Sequence, residues 1–263
     1  MSTPEAKTKI LISISIKCYN DLLQHGAQAV LEREYGSYIT ATEAGYDFSL
    51  LIDLENLPAD AGPPPLPTLP LPGTNWLAEA REDLIRRVSL LRRNTMASPF
   101  EKAIDTHHAL AEAAKDISPE TAPSAALGEV MVIRYRDEEA MYIQASHDRV
   151  TVIFSTVFRE ETDRIFGKVF LSEFVDARRR AIQNAPQVLY RNDPPLEIRG
   201  VPGLNEASGD VGYITFVLFP RHLTRQRREE SISHIQTFRD YFHYHIKAAK
   251  VRTLSVVGTY SQQ

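Results

Sequence analysis

Apolar residues recur along this chain with two different periods, and the changes of period mark its elements. In residues 9–16, isoleucine alternates with serine (Ile12, Ser13, Ile14, Ser15, Ile16), the period of a strand with one buried face. Residues 17–35 switch to helical spacing, with Tyr19, Leu22, Leu23, Ala27, Val30 and Leu31 on one side. Gly26 inside that stretch costs about 1 kcal/mol relative to alanine, which predicts a kink or break there. Gly36 is placed to end the helix. A short strand at 37–40, a turn at Glu43-Ala44-Gly45 and a strand from Gly45 onward follow. The next helix carries the stripe Leu77, Leu84, Ile85, Val88 and Leu91, with an arginine-rich outer face of Arg81, Arg86, Arg87, Arg92 and Arg93. Ser98-Pro99-Phe100-Glu101 has the form of a capping box that starts another helix, running to about residue 115.

The second half repeats this order. A hairpin at 130–144 folds over the charged turn Arg136-Asp137-Glu138-Glu139, which reads as a solvated acidic tip. The run RVTVIFSTVF is apolar on both faces and predicts a central strand. Thr162 is placed to cap a helix carrying Ile165, Phe166, Val169, Phe170 and Phe174, which ends in Arg178, Arg179 and Arg180. After the strand QVLYR and a proline- and glycine-bearing loop comes GYITFVLF, another strand with no polar face. A helix over 224–250 then sets Ile232, Ile235, Phe238, Phe242 and Ile246 three or four apart, with Tyr241 and Tyr244 widening the stripe. Residues 251–263 read as strand-like and poor in charge.

Each half therefore gives strand, helix, short strand, a glycine-tyrosine strand and a long helix. This predicts an α+β fold of two tandem, similar modules, each a small, mainly antiparallel sheet packed with helices. The small, polar, proline-bearing stretch 116–128 places the boundary, with modules at 1–118 and 128–263. Residues 60–75, DAGPPPLPTLPLPGTN, cannot be helix or central strand and read as an inserted surface loop; the alternative is a proline-rich adaptor that docks on an aromatic groove.

Composition narrows the functional classes. The 263 residues carry a net charge of -4, so nothing global points to nucleic acid or to membrane insertion. The aromatics lie on core-like stripes instead of being interleaved with cations on an exposed sheet. The single cysteine, Cys18, allows no internal disulfide, fits a reducing compartment and reads as a buried thiol, not a nucleophile. No nucleophile elbow, phosphate loop or dinucleotide fingerprint occurs, so no catalytic residue and no cofactor is expected. His243 and His245 point about 200° apart on a helix and cannot share a metal, and the adjacent pair His107-His108 fails likewise.

The stretches ISIKCYNDLLQHGA, YGSYITATEAGYDFSLLIDLENLP, IRYRDEEAMYI, DRVTVIFSTVF, GKVFLSEF, APQVLYRNDPPLEI, GYITFVLFPRH and IQTFRDYFHYHIK, taken in order, resemble the family of subunit two of the actin-related protein 2/3 complex. The resemblance covers most of residues 7–250. It implies a non-catalytic scaffold in the cytoplasm, on the actin cytoskeleton. Such a scaffold partners the actin-related proteins, the smaller scaffold subunit four and the other subunits. It also contacts the side of an existing actin filament, from which a branch grows. On this resemblance Arg178, Arg179, Arg180, Arg221, Lys247 and Lys250 are candidate actin contacts, and Ile232, Ile235, Phe238, Tyr241 and Phe242 a candidate seam for a partner subunit. Three departures stand out: the family's sequence before the position of Lys7 is replaced here by MSTPEA, residues 60–75 are inserted, and the family's long basic helix gives way after Lys250.

Overall fold

The computed structural model describes residues 8–57, 76–115, 127–180, 184–204 and 211–260. The proline-rich stretch and most of the 116–128 stretch lie outside them. The chain divides into two units, Met1–Ser98 and Pro99–Gln263.

In the first unit, β1 (Lys9–Ile14) and β2 (Ile39–Thr40) flank β3 (Phe48–Asp53) in the order β1-β3-β2, both pairs antiparallel. The isoleucine face of β1 does what its period predicts. Ile10, Ile12, Ile14 and Ile16 pack on a core of Tyr19, Leu31, Tyr35, Tyr38, Phe48, Leu50, Ile52, Leu84 and Leu91. Ser13 falls on the other face, 2.9 Å from Ser49, its partner across the ladder. The predicted helix is two, α1 (Tyr19–Gln24) and α2 (Ala27–Tyr35), broken at Gly26, whose φ of 94° only glycine adopts readily. Gly36 needs no such freedom: it is right-handed and opens a 3-10 turn, Gly36–Tyr38. Helices α3 (Trp76–Ser89) and α4 (Leu91–Thr95) complete the unit. The Tyr35 hydroxyl donates to the Arg87 carbonyl at 2.7 Å and accepts from the Asn94 amide at 3.0 Å, tying α2 to α3 and α4. Ile85, expected on the buried stripe, is 68% exposed, while Leu84 and Leu91 fill the core.

The second unit opens with α5 (Ser98–Ala114), whose first residue belongs by contacts to the first unit. The Ser98 hydroxyl donates back to the Thr95 carbonyl. A five-stranded antiparallel sheet follows, in the order β4-β5-β6-β8-β7, from β4 (Met131–Ile133), β5 (Met141–Ala145), β6 (Val150–Val157), β7 (Gln187–Arg191) and β8 (Val211–Leu218). The two strands without a polar face, β6 and β8, sit at its centre and are buried almost throughout. Two long helices, α6 (Glu161–Arg180) and α7 (Arg228–Tyr260), pair with one another and pack on this sheet. Thr162 lies one residue inside α6, not ahead of it; the Glu160 carbonyl takes the first helical bonds, from Asp163 and Arg164. Opposite, Tyr142, Ile153 and Tyr213 are covered by Ile198, Val201 and Leu204 of the loop before β8. His107 on the buried side of α5 reaches the Ser146 carbonyl at 2.7 Å, fixing that helix to the turn between β5 and β6.

Helix α7 has 33 residues. It runs through 251–260, correcting the strand-like reading of that stretch. A helix already begun adds each residue at small cost, so β-branched residues such as Val251 and Thr253 are carried along.

Candidate partner-binding surface on helices α6 and α7

The α7 stripe read from the sequence is the unit's own core. Ile232, Ile235, Phe238, Phe242 and Ile246 are all buried. The Phe238 ring stands edge-on to Phe216 of β8 at 4.6 Å, and Phe242 meets Phe158 and Phe170 at 6.1 and 5.7 Å. Gly167 of α6 lies where a Cβ would sit 3.1 Å from both Phe158 and Phe242, so the helices close on each other over a missing side chain. Of the five candidate seam residues, Tyr241 alone faces outward.

Tyr241 begins a second stripe. Tyr241, Tyr244 and Val251 are 61%, 66% and 67% exposed, and Ala248 between them is exposed as well. Spacings of three, four and three set them along one side of α7. Ile165 and Val169 of α6 are exposed too. His245 joins the helices on this side, its ring stacked on Phe170 at 5.1 Å and on Tyr241 at 6.5 Å. The sequence signal for this stripe is the pair of tyrosines beside the buried residues, which spacing alone cannot tell from a widening of the core face.

The candidate cations do not form one patch. Arg178, Arg221 and Arg227 gather around the buried His222, whose Nδ1 accepts from the Phe219 amide while Nε2 donates to the Asn184 carbonyl, each at 2.9 Å. Burial first, and then the charges of Arg221, Arg178 and Arg227, hold the His222 ring's pKa below its usual value. Arg178 donates through Nε to the Ala185 carbonyl, and Arg221 lies over the Phe219 ring at 5.2 Å. Arg180 is exposed beside Asp176; of Arg179 only the backbone is described. Lys247 is exposed, about 28 Å along α7 from its first residue, Arg228, by helix rise. Lys250 is committed within the unit: its ammonium bonds Glu160 and, at 3.2 Å, Asp163 at the start of α6.

Sequence reasoning missed one polar element entirely. Glu139, read as part of a solvated tip, is buried. Its carboxylate accepts from Arg239 of α7 at 2.6 Å and from the Val157 amide at 3.2 Å. The Arg239 guanidinium also lies over the Tyr135 ring at 5.1 Å. One turn on, His243 buries Nε2 without a hydrogen-bond partner among the described residues; burial first and Arg239 second push its pKa down. The hairpin is thereby locked to the long helix.

Cys18 is buried and its thiol pKa is raised, chiefly by desolvation. Among the described residues no three metal-ligating side chains gather, and no helix is long and apolar enough to cross a membrane.

Known proteins match nearly the whole chain. Residues 12–64 and 69–256 fit the family described as Arp2/3 complex, 34 kD subunit p34-Arc. The gap at 65–68 falls inside the proline-rich stretch, and the fit continues along α7 beyond Lys250 to residue 256. The chain is 52% identical over 256 residues to actin-related protein 2/3 complex subunit 2 of Schizosaccharomyces pombe, covering 95% of this chain and 75% of that protein. It is 35% identical over 252 residues to the Dictyostelium discoideum protein of the same name, covering 95% and 73%. On this evidence of sequence, over two-thirds of each relative, the chain belongs to the p34-Arc family of Arp2/3 complex subunits.

Proposed function

We propose that the chain is a non-catalytic scaffold subunit of a cytoplasmic actin-nucleating complex, holding other subunits through the outer face of α7 and meeting the side of a mother filament through the arginines near His222. The observation that carries this is the two-sided character of α7. One stripe fills the unit's core, and the other, Tyr241, Tyr244 and Val251, stands in solvent. Large aromatic side chains on an exposed helical face mark a partner seam. The actin-related proteins and subunit four are the partners proposed for it. The filament role rests on charge: Arg221, Arg225 and Arg227 are exposed and have no carboxylate partner among the described residues.

Co-expression with the remaining subunits tests the first part. Tyr241→Asp with Tyr244→Asp should leave the chain folded by circular dichroism but abolish co-purification of subunit four; unchanged recovery would refute the seam. Arg221, Arg225 and Arg227 changed together to alanine should weaken filament cosedimentation, with a smaller difference at high salt. Equal cosedimentation at low salt removes those arginines from the filament contact.

A further inference from the structure

We infer that Ser89 is a phosphorylation site for a basophilic serine/threonine kinase. The stretch Arg86-Arg87-Val88-Ser89-Leu90 closes α3 and sets two guanidiniums two and three residues before a hydroxyl, with an apolar residue after it. An acidic substrate groove pairs such arginines, and an apolar pocket takes the leucine.

The structure separates this site from a second one of similar sequence. Arg92-Arg93-Asn94-Thr95 repeats the arginine spacing, but Thr95 is fully buried and its hydroxyl donates to the Leu91 carbonyl at 2.8 Å. Ser89 is exposed, and so are Arg86 and Leu90. Arg86 has no carboxylate partner among the described residues. Leu90 has left α3, at φ -91° and ψ 1°, and caps α4, so the site sits at the one-residue junction between two helices. Arg87 is the part that must be released, since it bonds the Glu34 carbonyl and lies 4.0 Å from Asp83.

In the transfer, the Ser89 Oγ bonds to the γ-phosphorus of ATP, the bridging P–O bond breaks to release ADP, and the hydroxyl proton passes to the kinase's base. The product loses the Ser89 hydroxyl's bond to the Arg86 carbonyl, now 2.7 Å. It places about two negative charges at the carbonyl end of α3, where the helix dipole opposes them. Arg86 and Arg92, three residues to either side and both exposed, are the cations available to meet the phosphate.

The test incubates the purified full chain with the catalytic subunit of cyclic-AMP-dependent kinase and Mg·ATP, and maps phosphate by mass spectrometry. A peptide of residues 83–92 runs beside it. Phosphate at Ser89 that disappears in Ser89→Ala, with that variant's circular dichroism unchanged, is the expected result. Equal labelling of Ser89→Ala overturns the assignment, as does a peptide that is modified while the folded chain is not. Failure of both substrates overturns it as well.

Discussion

Strand β1 in the first unit and strand β6 in the second hold the same place in the same topology, yet they live in different surroundings. Each begins a strand–helix–strand–strand sequence, and the strands assemble as first, third, second: β1-β3-β2 and β6-β8-β7, all antiparallel. In the second unit β5 and β4 extend the sheet beyond β6, and all but the last residue of β6 is buried. In the first unit β1 is an edge strand among the described residues, and every position in it is half-exposed. The shared order shows how much topology a pattern of elements fixes; the difference shows that depth of burial depends on neighbours the pattern does not name.

The largest effect should come from the buried lock in the second unit. Glu139→Ala leaves Arg239, whose side chain is 11% exposed, without its main partner. Removing one member of a buried pair costs about 3–5 kcal/mol. Chemical denaturation should show that loss, and a loss under about 1 kcal/mol would mean water reaches the site freely. Next comes the direct contrast of equivalent strands. Ile153→Ala in β6 empties a fully buried position and should cost about 2–5 kcal/mol. Ile12→Ala in β1, half-exposed, should cost roughly half as much. Equal losses would mean that β1 is covered in solution. The units' helices contrast similarly. Gly26 breaks its helix with positive φ, whereas Gly167 stays helical beneath two phenylalanine rings. Gly26→Ala should cost about 1 kcal/mol from backbone strain alone, there being nothing within 4 Å of the added carbon. An unchanged melting temperature would show that the break moves elsewhere.

What could be read from sequence was local. The burial of β6 and β8, the break at Gly26 and the inner stripe of α7 all follow from residues a few positions apart. The lock of Glu139 on Arg239 joins residues 100 apart, and nothing in a charged hairpin turn announces it. Tyr241 and Tyr244 were visible as aromatics, but their outward direction depends on where Phe238 and Phe242 meet the sheet. Ile85 shows the same limit: its apolar side chain adjoins Leu84 in sequence, yet the helix turns it to solvent. Lys250 looked free as a cation and is held by Glu160 and Asp163, nearly ninety residues earlier in the chain.

The smallest predicted effect is one of pH, and it too belongs to the second unit. Burial holds both His222 and His243 neutral, with pKa values below the ordinary 6.5. A ring with a lower pKa folded than unfolded binds fewer protons in the native state over that interval, so stability rises with pH there. The contribution is complete above about pH 6.5, the ordinary histidine value. It is lost as the pH falls through 6.5 toward the folded values. Melting temperature should therefore be flat from neutral to mildly alkaline pH and decline on acidification, before the carboxylates titrate. In His243→Asn, where no ring is left to protonate beside Arg239, the decline should be shallower. An identical slope in that variant would assign the acid sensitivity to His222 or to groups outside this helix, and the buried nitrogen of His243 would then be reached by water.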